Sequence, residues 1–457
     1  MQTITVQELL ARYDKPVPRY TSYPTVPFWK ESLDVNGWKD AFGKAFHEHN
    51  EKEGISLYLH LPFCESLCTY CGCNKKITTN HGVESEYLEV LLKEWRIYRD
   101  LIGEAPIIRE LHLGGGTPTF FQPDNLRKLL EEIYKDSIIH PAHEFSFEGH
   151  PNNTTREHLD TLYDLGFRRV SYGVQDNDPD VQRIINRLQP LENVRRAVDQ
   201  AREAGYNSVN FDLIYGLPLQ TIDKMKKTIE TSLSMHPDRI AFYSYAHVPW
   251  TSRGQRLFDE NDLPSADLKL DLLKLGRELF TTAGYFDIGM DHFARPEDDL
   301  SLAWKEGRLH RNFMGYTTQR TALLLGLGVS SISDSGTAFA QNEKTLHDYY
   351  ERIAAGELPV FRGYLLDKED RSFRRYILDI SCRGEVEFKE EDLETLRTYS
   401  FPELEKLEAD GLLHWNQKGL KVTPLGRLFI RNICAAFDLH MARGRNGAES
   451  QKFSKAI

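Results

Sequence analysis

The polar and apolar positions of this chain change period along its length. From about residue 55 to 296, short runs of β-branched and aromatic residues alternate with longer stretches of helical spacing. The short runs, at 55–62, 108–113, 144–148, 169–174, 208–215, 240–248 and 286–292, predict strands. Between them, 84–102, 124–135, 156–165, 192–204, 222–235 and 268–282 predict amphipathic helices. Gly166, Gly205 and Gly284 each stand just past such a helix and just before an aromatic residue. A glycine there can take the left-handed turn that ends the helix before the next strand begins. Repeated strand–helix units make a parallel sheet with helices outside, as an open doubly wound sheet or as a full or partial barrel. In either case ligands collect at the carboxyl ends of the strands.

The flanks differ. Before residue 55 the pattern is less regular: Pro16, Pro18, Pro24 and Pro27 interrupt it, and 19–24 is unusually aromatic for a linker. Two readings stand, a strap packed on the surface or a segment closing over a substrate. From about 365 the chain reads mainly helical, and 407–411, a turn at 416–419 and 425–436 fit a helix, a wing and a helix. Winged units often bind DNA. Lys and Arg barely outnumber Asp and Glu from 361 onward, so the basic footprint of such a module is absent. The expected division is a substrate-covering segment at 1–54, a β/α catalytic domain at 55–364 and a mainly helical domain at 365–457.

Composition narrows the function. Of 457 residues, 40% are hydrophobic, enough for a large core, and the formal net charge of −11 argues against a general nucleic-acid or anionic-membrane surface. No apolar run is long enough to span a bilayer, and 1–15 lacks the basic and apolar blocks of a leader. The expected compartment is the cytoplasm. Four of the six cysteines fall between positions 64 and 73. A disulfide framework spreads its cysteines through a small secreted chain, so this clustering points to metal.

Cys64, Cys68 and Cys71 have the spacing C-x3-C-x2-C directly after the first predicted strand. Thiolates are the preferred ligands of iron–sulfur clusters. A 4Fe–4S cluster held by three of them keeps one iron open for a small molecule. A structural zinc site using Cys73 as fourth ligand is the competing reading, but such sites usually join two separated ligand pairs. Cys382 and Cys434 stand alone and read as core residues. One strand later, Gly114-Gly115-Gly116-Thr117 offers bare backbone to a ligand.

These motifs resemble those of the radical S-adenosylmethionine (SAM) enzymes. Segments 18–25, 173–176, 212–218, 290–296, 310–319 and 426–434 extend the likeness over essentially the whole chain, to the oxygen-independent coproporphyrinogen oxidases. The resemblance implies a partial or full parallel β/α barrel of radical SAM type, with an N-terminal strap and a helical C-terminal domain. It implies that Cys64, Cys68 and Cys71 ligate a 4Fe–4S cluster. Tyr58, Tyr70 through its backbone, Gly115 and Glu148 would contact the SAM on the open iron. A second SAM would meet Gly116, Thr117, Gln175, Arg187, Asp212, Ala246 and Ile332. Gly149-His150 departs from the family after Glu148, where relatives often carry an aliphatic residue and Asp. Cys73 favours the decarboxylase over related haem chaperones. The implied reaction converts two propionates of coproporphyrinogen III to vinyl groups through a 5′-deoxyadenosyl radical. Arg19 and Arg311 are candidates for the substrate carboxylates. The expected enzyme is a monomer served by an electron donor and an electron acceptor. Two rival readings are a haem-binding chaperone and a radical enzyme acting on another tetrapyrrole.

Overall fold

The computed structural model describes residues 5–31, 33–250 and 252–444; the ends of the expected first and last segments, 1–4 and 445–457, lie outside it. Twelve strands form one sheet: β1 (Ile55–Leu61), β2 (Ile107–Gly115), β3 (Ile138–Gly149), β4 (Phe167–Gln175), β5 (Ser208–Tyr215), β6 (Arg239–Ser244), β7 (Phe286–Gly289), β8 (His292–Ala294), β9 (Leu324–Leu327), β10 (Ile332–Asp334), β11 (Ala338–Asn342) and β12 (Val360–Leu365). Their order is β12-β11-β10-β9-β1-β2-β3-β4-β5-β6-β8-β7. Strands β1 to β6 and β9 run parallel, and the strands outside them pair antiparallel. The sheet ends in β12, bridged by Lys30 at Gly363, and in β7, and does not close on itself, so the barrel is partial.

Alternation sorts the side chains. Leu57, Leu59, Leu111, Leu113, Phe145, Phe147 and Phe211 are buried in the main core with the helices that follow the strands. Burying one such side chain contributes about 1.5–3 kcal/mol. The residues between them, Tyr58, His60, His112, Glu148 and Asp212, face the concave side. At the amino ends of the strands that side is filled. Ser56 bonds Glu110 and Thr321 at 2.6 Å each, Thr317 bonds Glu110 at 2.6 Å, Thr318 bonds Glu144, and Arg169 pairs with Glu144. The polar positions of 317–321 thus cap the barrel floor.

Three boundaries differ from the sequence expectation. The strand expected at 240–248 ends at Ser244. Beyond it the Gln255 side chain takes the Ala246 carbonyl and the Val248 N–H, replacing a ladder. The run 286–292 splits into the β7–β8 hairpin, because Met290 (φ 40°) and Asp291 (φ 74°) turn the chain. The irregular N-terminal stretch contains a 19-residue helix, Val35–Glu53, capped by the Asp34 side chain and ended by Gly54 (φ 71°).

The C-terminal region holds a helix (Lys368–Arg383), a three-stranded sheet and the helix Phe401–Ala409 beside the hairpin Leu413–Asn416 and Gly419–Val422. Its core includes Phe373, Tyr376, Leu404 and Phe429, together with Leu9, Leu10, Tyr13, Tyr20 and Tyr23 from the chain's start. Tyr13 donates to Asp410 at 2.7 Å and Tyr20 to Asp438 at 3.1 Å. Among the described residues, no helix is long and apolar enough to cross a membrane.

Candidate active site

The cysteine loop leaves β1 at its carboxyl end, where a β/α sheet presents ligand-binding residues. Neighbouring elements hold its backbone. Thr69 N–H bonds the Ile185 carbonyl at 3.0 Å, and Asn186 Nδ2 donates to Leu67 O at 2.8 Å. Gln255 Nε2 reaches Tyr70 O (3.0 Å), Ser252 Oγ reaches Cys71 O (3.2 Å), and Lys75 Nζ reaches Cys71 O (2.9 Å). His60 Nε2 meets Asn74 O at 3.0 Å. The glycine run docks against the same loop, with Gly116 N–H on Leu61 O (2.9 Å) and Thr117 N–H on Phe63 O (3.0 Å). A Cβ on Gly116 would come within 2.5 Å of Pro62 O, so only glycine allows this approach.

Cys68 is buried, Cys64 and Cys71 are partly buried, and Cys73 is exposed. Cys64 Sγ lies 3.3 Å from Thr117 Oγ1, and Arg187 Nη1 donates to Cys68 Sγ at 3.5 Å. Burial pushes the Cys64 thiol up to about 11. The hydrogen bond with Cys73 outweighs burial at Cys71 and, with the Lys75 ammonium, draws that thiol down to about 6. Three thiols on one anchored loop, with polar donors at hand, fit the thiolate set of an iron–sulfur cluster.

Below the loop is a ring of polar side chains. Glu148 Oε2 accepts from Gly115 N–H (3.2 Å), and its Oε1 lies 3.5 Å from His112 Nε2. Its side chain is 46% exposed, so the carboxylate is open to a ligand. Tyr58 OH meets His60 Nδ1 at 3.1 Å, and its ring stacks on His112. Asp212 is held by Ser171 (3.2 Å) and Asn210 (2.9 Å); burial, then the charge of Glu148, pushes its carboxyl up to about 6. Gln175 Oε1 and Arg187 Nε are buried with no protein partner, as befits groups awaiting a polar ligand.

The structure therefore brings Tyr58, Tyr70, Gly115, Gly116, Thr117, Glu148, Gln175, Arg187 and Asp212 around the cysteine loop. Ala246 joins them through Gln255, whose amide bridges Ala246 O and Tyr70 O. Ile332 lies two strands from β1, beside Gly326, which pairs with Tyr58, and it packs against the Trp29–Phe339 cluster. Arg19 and Arg311 sit together near the carboxyl end of β6. Arg19 donates to Ser244 O at 3.1 Å and lies 3.7 Å from Asp291, and Arg311 Nη2 lies 3.5 Å from Arg19 O. Arg311 is 6% exposed, yet its Nε and Nη1 have no hydrogen-bond partner.

Four residues of this site escaped the sequence reading. His60 and His112 were legible in principle: each alternates with apolar residues on a strand, on the same face as Tyr58. Lys75, two residues past Cys73, carried a weaker signal. Nothing local marks Gln255, whose role depends on a loop 185 residues from Tyr70.

A model of the radical SAM superfamily matches residues 58–231. Three relatives are each 39% identical to the chain, all oxygen-independent coproporphyrinogen III oxidases. That of Pseudomonas aeruginosa covers 98% of both chains, that of Helicobacter pylori 100% of both, and that of Escherichia coli 98% of both. A solved structure of coproporphyrinogen III oxidase from Escherichia coli, described as a radical SAM enzyme, matches with a TM-score of 0.89 at 37% identity. It covers 96% of this chain and 100% of that one.

Proposed function

The chain belongs to the oxygen-independent coproporphyrinogen III oxidase family of radical SAM enzymes, and on that premise we propose how its own residues serve the family's reaction. That reaction is the oxidative decarboxylation of two propionates of coproporphyrinogen III, giving protoporphyrinogen IX in haem biosynthesis. The observation that carries the reading is the anchored loop of Cys64, Cys68 and Cys71 over a concave face lined by Glu148, Arg187 and Asp212. Cys64, Cys68 and Cys71 would hold a 4Fe–4S cluster, which would supply the electron for reductive cleavage of SAM, and each propionate would lose a hydrogen atom, carbon dioxide and one electron to become a vinyl group.

The protein's part is to hold and orient. Cys64, Cys68 and Cys71 ligate the cluster, and exposed Cys73 does not. Glu148, Tyr58, Gly115 and the Tyr70 backbone orient the first SAM. Gly116, Thr117, Gln175, Arg187, Asp212, Ala246 and Ile332 form a second SAM site, to which the unpartnered Gln175 Oε1 lends support. Arg19 and Arg311 receive substrate carboxylates, as the unpaired buried nitrogens of Arg311 favour. Segment 1–54 covers the substrate, 55–364 carries the chemistry, and 365–457 shapes the mouth. The enzyme works as a cytoplasmic monomer with a separate electron donor and electron acceptor.

Anaerobic turnover tests this. With a one-electron reductant and an electron acceptor, the loaded chain should convert coproporphyrinogen III to the divinyl product, with two equivalents of 5′-deoxyadenosine per product in coupled turnover. Cys64→Ala should lose both products and the iron, and Cys73→Ala should keep four irons. A fully loaded, reducible chain that makes no vinyl product and binds haem stoichiometrically would instead be a chaperone.

A further inference from the structure

The three cysteines of the loop do not share one electrostatic setting. Cys64 has a neutral hydroxyl beside it, whereas Cys68 has a guanidinium, with Arg187 Nη1 3.5 Å from its sulfur. Several contacts fix that arginine. Arg187 N–H bonds Gln182 O at 2.8 Å, the preceding Asn186 turns the chain at φ 51°, and Nη2 donates to Gly173 O at 2.6 Å. A Cβ on Gly173 would come 2.6 Å from Gln175 Nε2 and 2.9 Å from Arg187 Nη2, so the bare backbone leaves both side chains their present positions. Among the described residues no carboxylate forms an ion pair with Arg187. His150 stands nearby, and burial, then the Arg187 charge, keeps its imidazole neutral. Asp212 feels the Arg187 charge but forms no ion pair with it, so the direct contact of the guanidinium is with the Cys68 sulfur.

We propose that Arg187 is a tuning residue: its hydrogen bond to Cys68 makes the cluster held by this loop easier to reduce. Reduction adds one negative charge to the cluster and its thiolates. A cationic N–H donor on a ligand sulfur stabilises that charge more than it stabilises the oxidised state, and such bonds help set iron–sulfur potentials. An arginine that merely propped the loop would serve equally well with its charge neutralised by a carboxylate. The inference rests on the cluster assignment above and adds a role separate from any contact with SAM.

The test is a redox titration of the reconstituted full chain, followed by electron paramagnetic resonance and run without SAM. At the wild-type midpoint, Arg187→Met should lower the ratio of reduced to oxidised cluster at least tenfold, a midpoint about 59 mV lower for one electron. Arg187→Lys, which keeps a cation, should fall by less, and Arg183→Met, an exposed arginine paired with Asp180 at 2.8 Å, should not move. A fully loaded Arg187→Met within twofold of wild type overturns the proposal. So does wild-type protein labelled with 15N-arginine whose reduced cluster shows no guanidinium 15N coupling, a measurement that needs no variant to load. A wild-type chain that takes up no iron and sulfide overturns the cluster assignment itself.

Discussion

At the scale of single residues, the site is a set of polar groups whose partners dictate their behaviour. Glu148 accepts one backbone N–H and leaves the rest of its carboxylate open. Glu148→Ala should keep the cluster and weaken SAM binding by roughly 10- to 150-fold, the loss expected for a charge-assisted hydrogen bond of about 1.5–3 kcal/mol. Equilibrium binding to the oxidised, loaded protein measures it, and unchanged affinity would leave Glu148 a structural role. Asp212 behaves differently, because burial and the charge of Glu148 raise its carboxyl to about 6. The folded chain then holds a proton that the unfolded chain has lost between about pH 4 and 6, so folding stability falls as pH rises through that window. Asp212→Asn should therefore stabilise the cluster-free chain at pH 8, by about 1–3 kcal/mol, and the gain should vanish below pH 4. Denaturant melts at both pH values decide this. The three cysteines of the candidate site were legible because C-x3-C-x2-C is a compact pattern. Gln255 was not, because a lone glutamine in a polar loop gives no sign that it will bridge two carbonyls.

At the scale of elements, local signals explain both the agreement and the misses. Strands β1 to β6 were readable because each is a short apolar run followed by a helix, three of those helices ending at Gly166, Gly205 and Gly284; the parallel strand β9 was not, because another strand and not a helix follows it. The helix Val35–Glu53 was missed, although Asp34 stands before it, Gly54 after it, and Trp38, Phe42, Ala45 and Phe46 on one buried face. The prolines upstream of it drew the pattern toward irregularity. Asp34→Ala should cost about 1 kcal/mol through the lost N-cap, measurable as a lower denaturation midpoint. The end of β6 at Ser244 was not readable, since 245–248 keeps strand-like composition and only a distant side chain replaces its ladder. The close approach of Gly116 to Pro62 O makes a sharper case. Gly116→Ala should preserve the far-ultraviolet circular dichroism yet abolish iron and sulfide uptake; normal uptake would show that the loop can move aside.

At the scale of the whole molecule, the beginning and end of the chain share one core. Leu9, Leu10 and Tyr13 pack with Leu404, Leu412 and Phe429, although some 400 residues separate them. No periodicity reveals that pairing, because it depends on where the barrel leaves its two ends. Leu10→Ala should open the C-terminal region by the usual 2–5 kcal/mol of a core truncation. Limited proteolysis should then cut within 366–444 faster than in the wild type, while cleavage within 55–250 stays unchanged. The polar cap across the barrel floor has its own consequence. With Ser56, Glu110, Thr317 and Thr321 closing that end, the barrel is a blind alley. Traffic through that floor is shut, so a ligand held by the cysteine loop and Glu148 is reached only from the carboxyl ends of the strands or past the unclosed sides of the sheet.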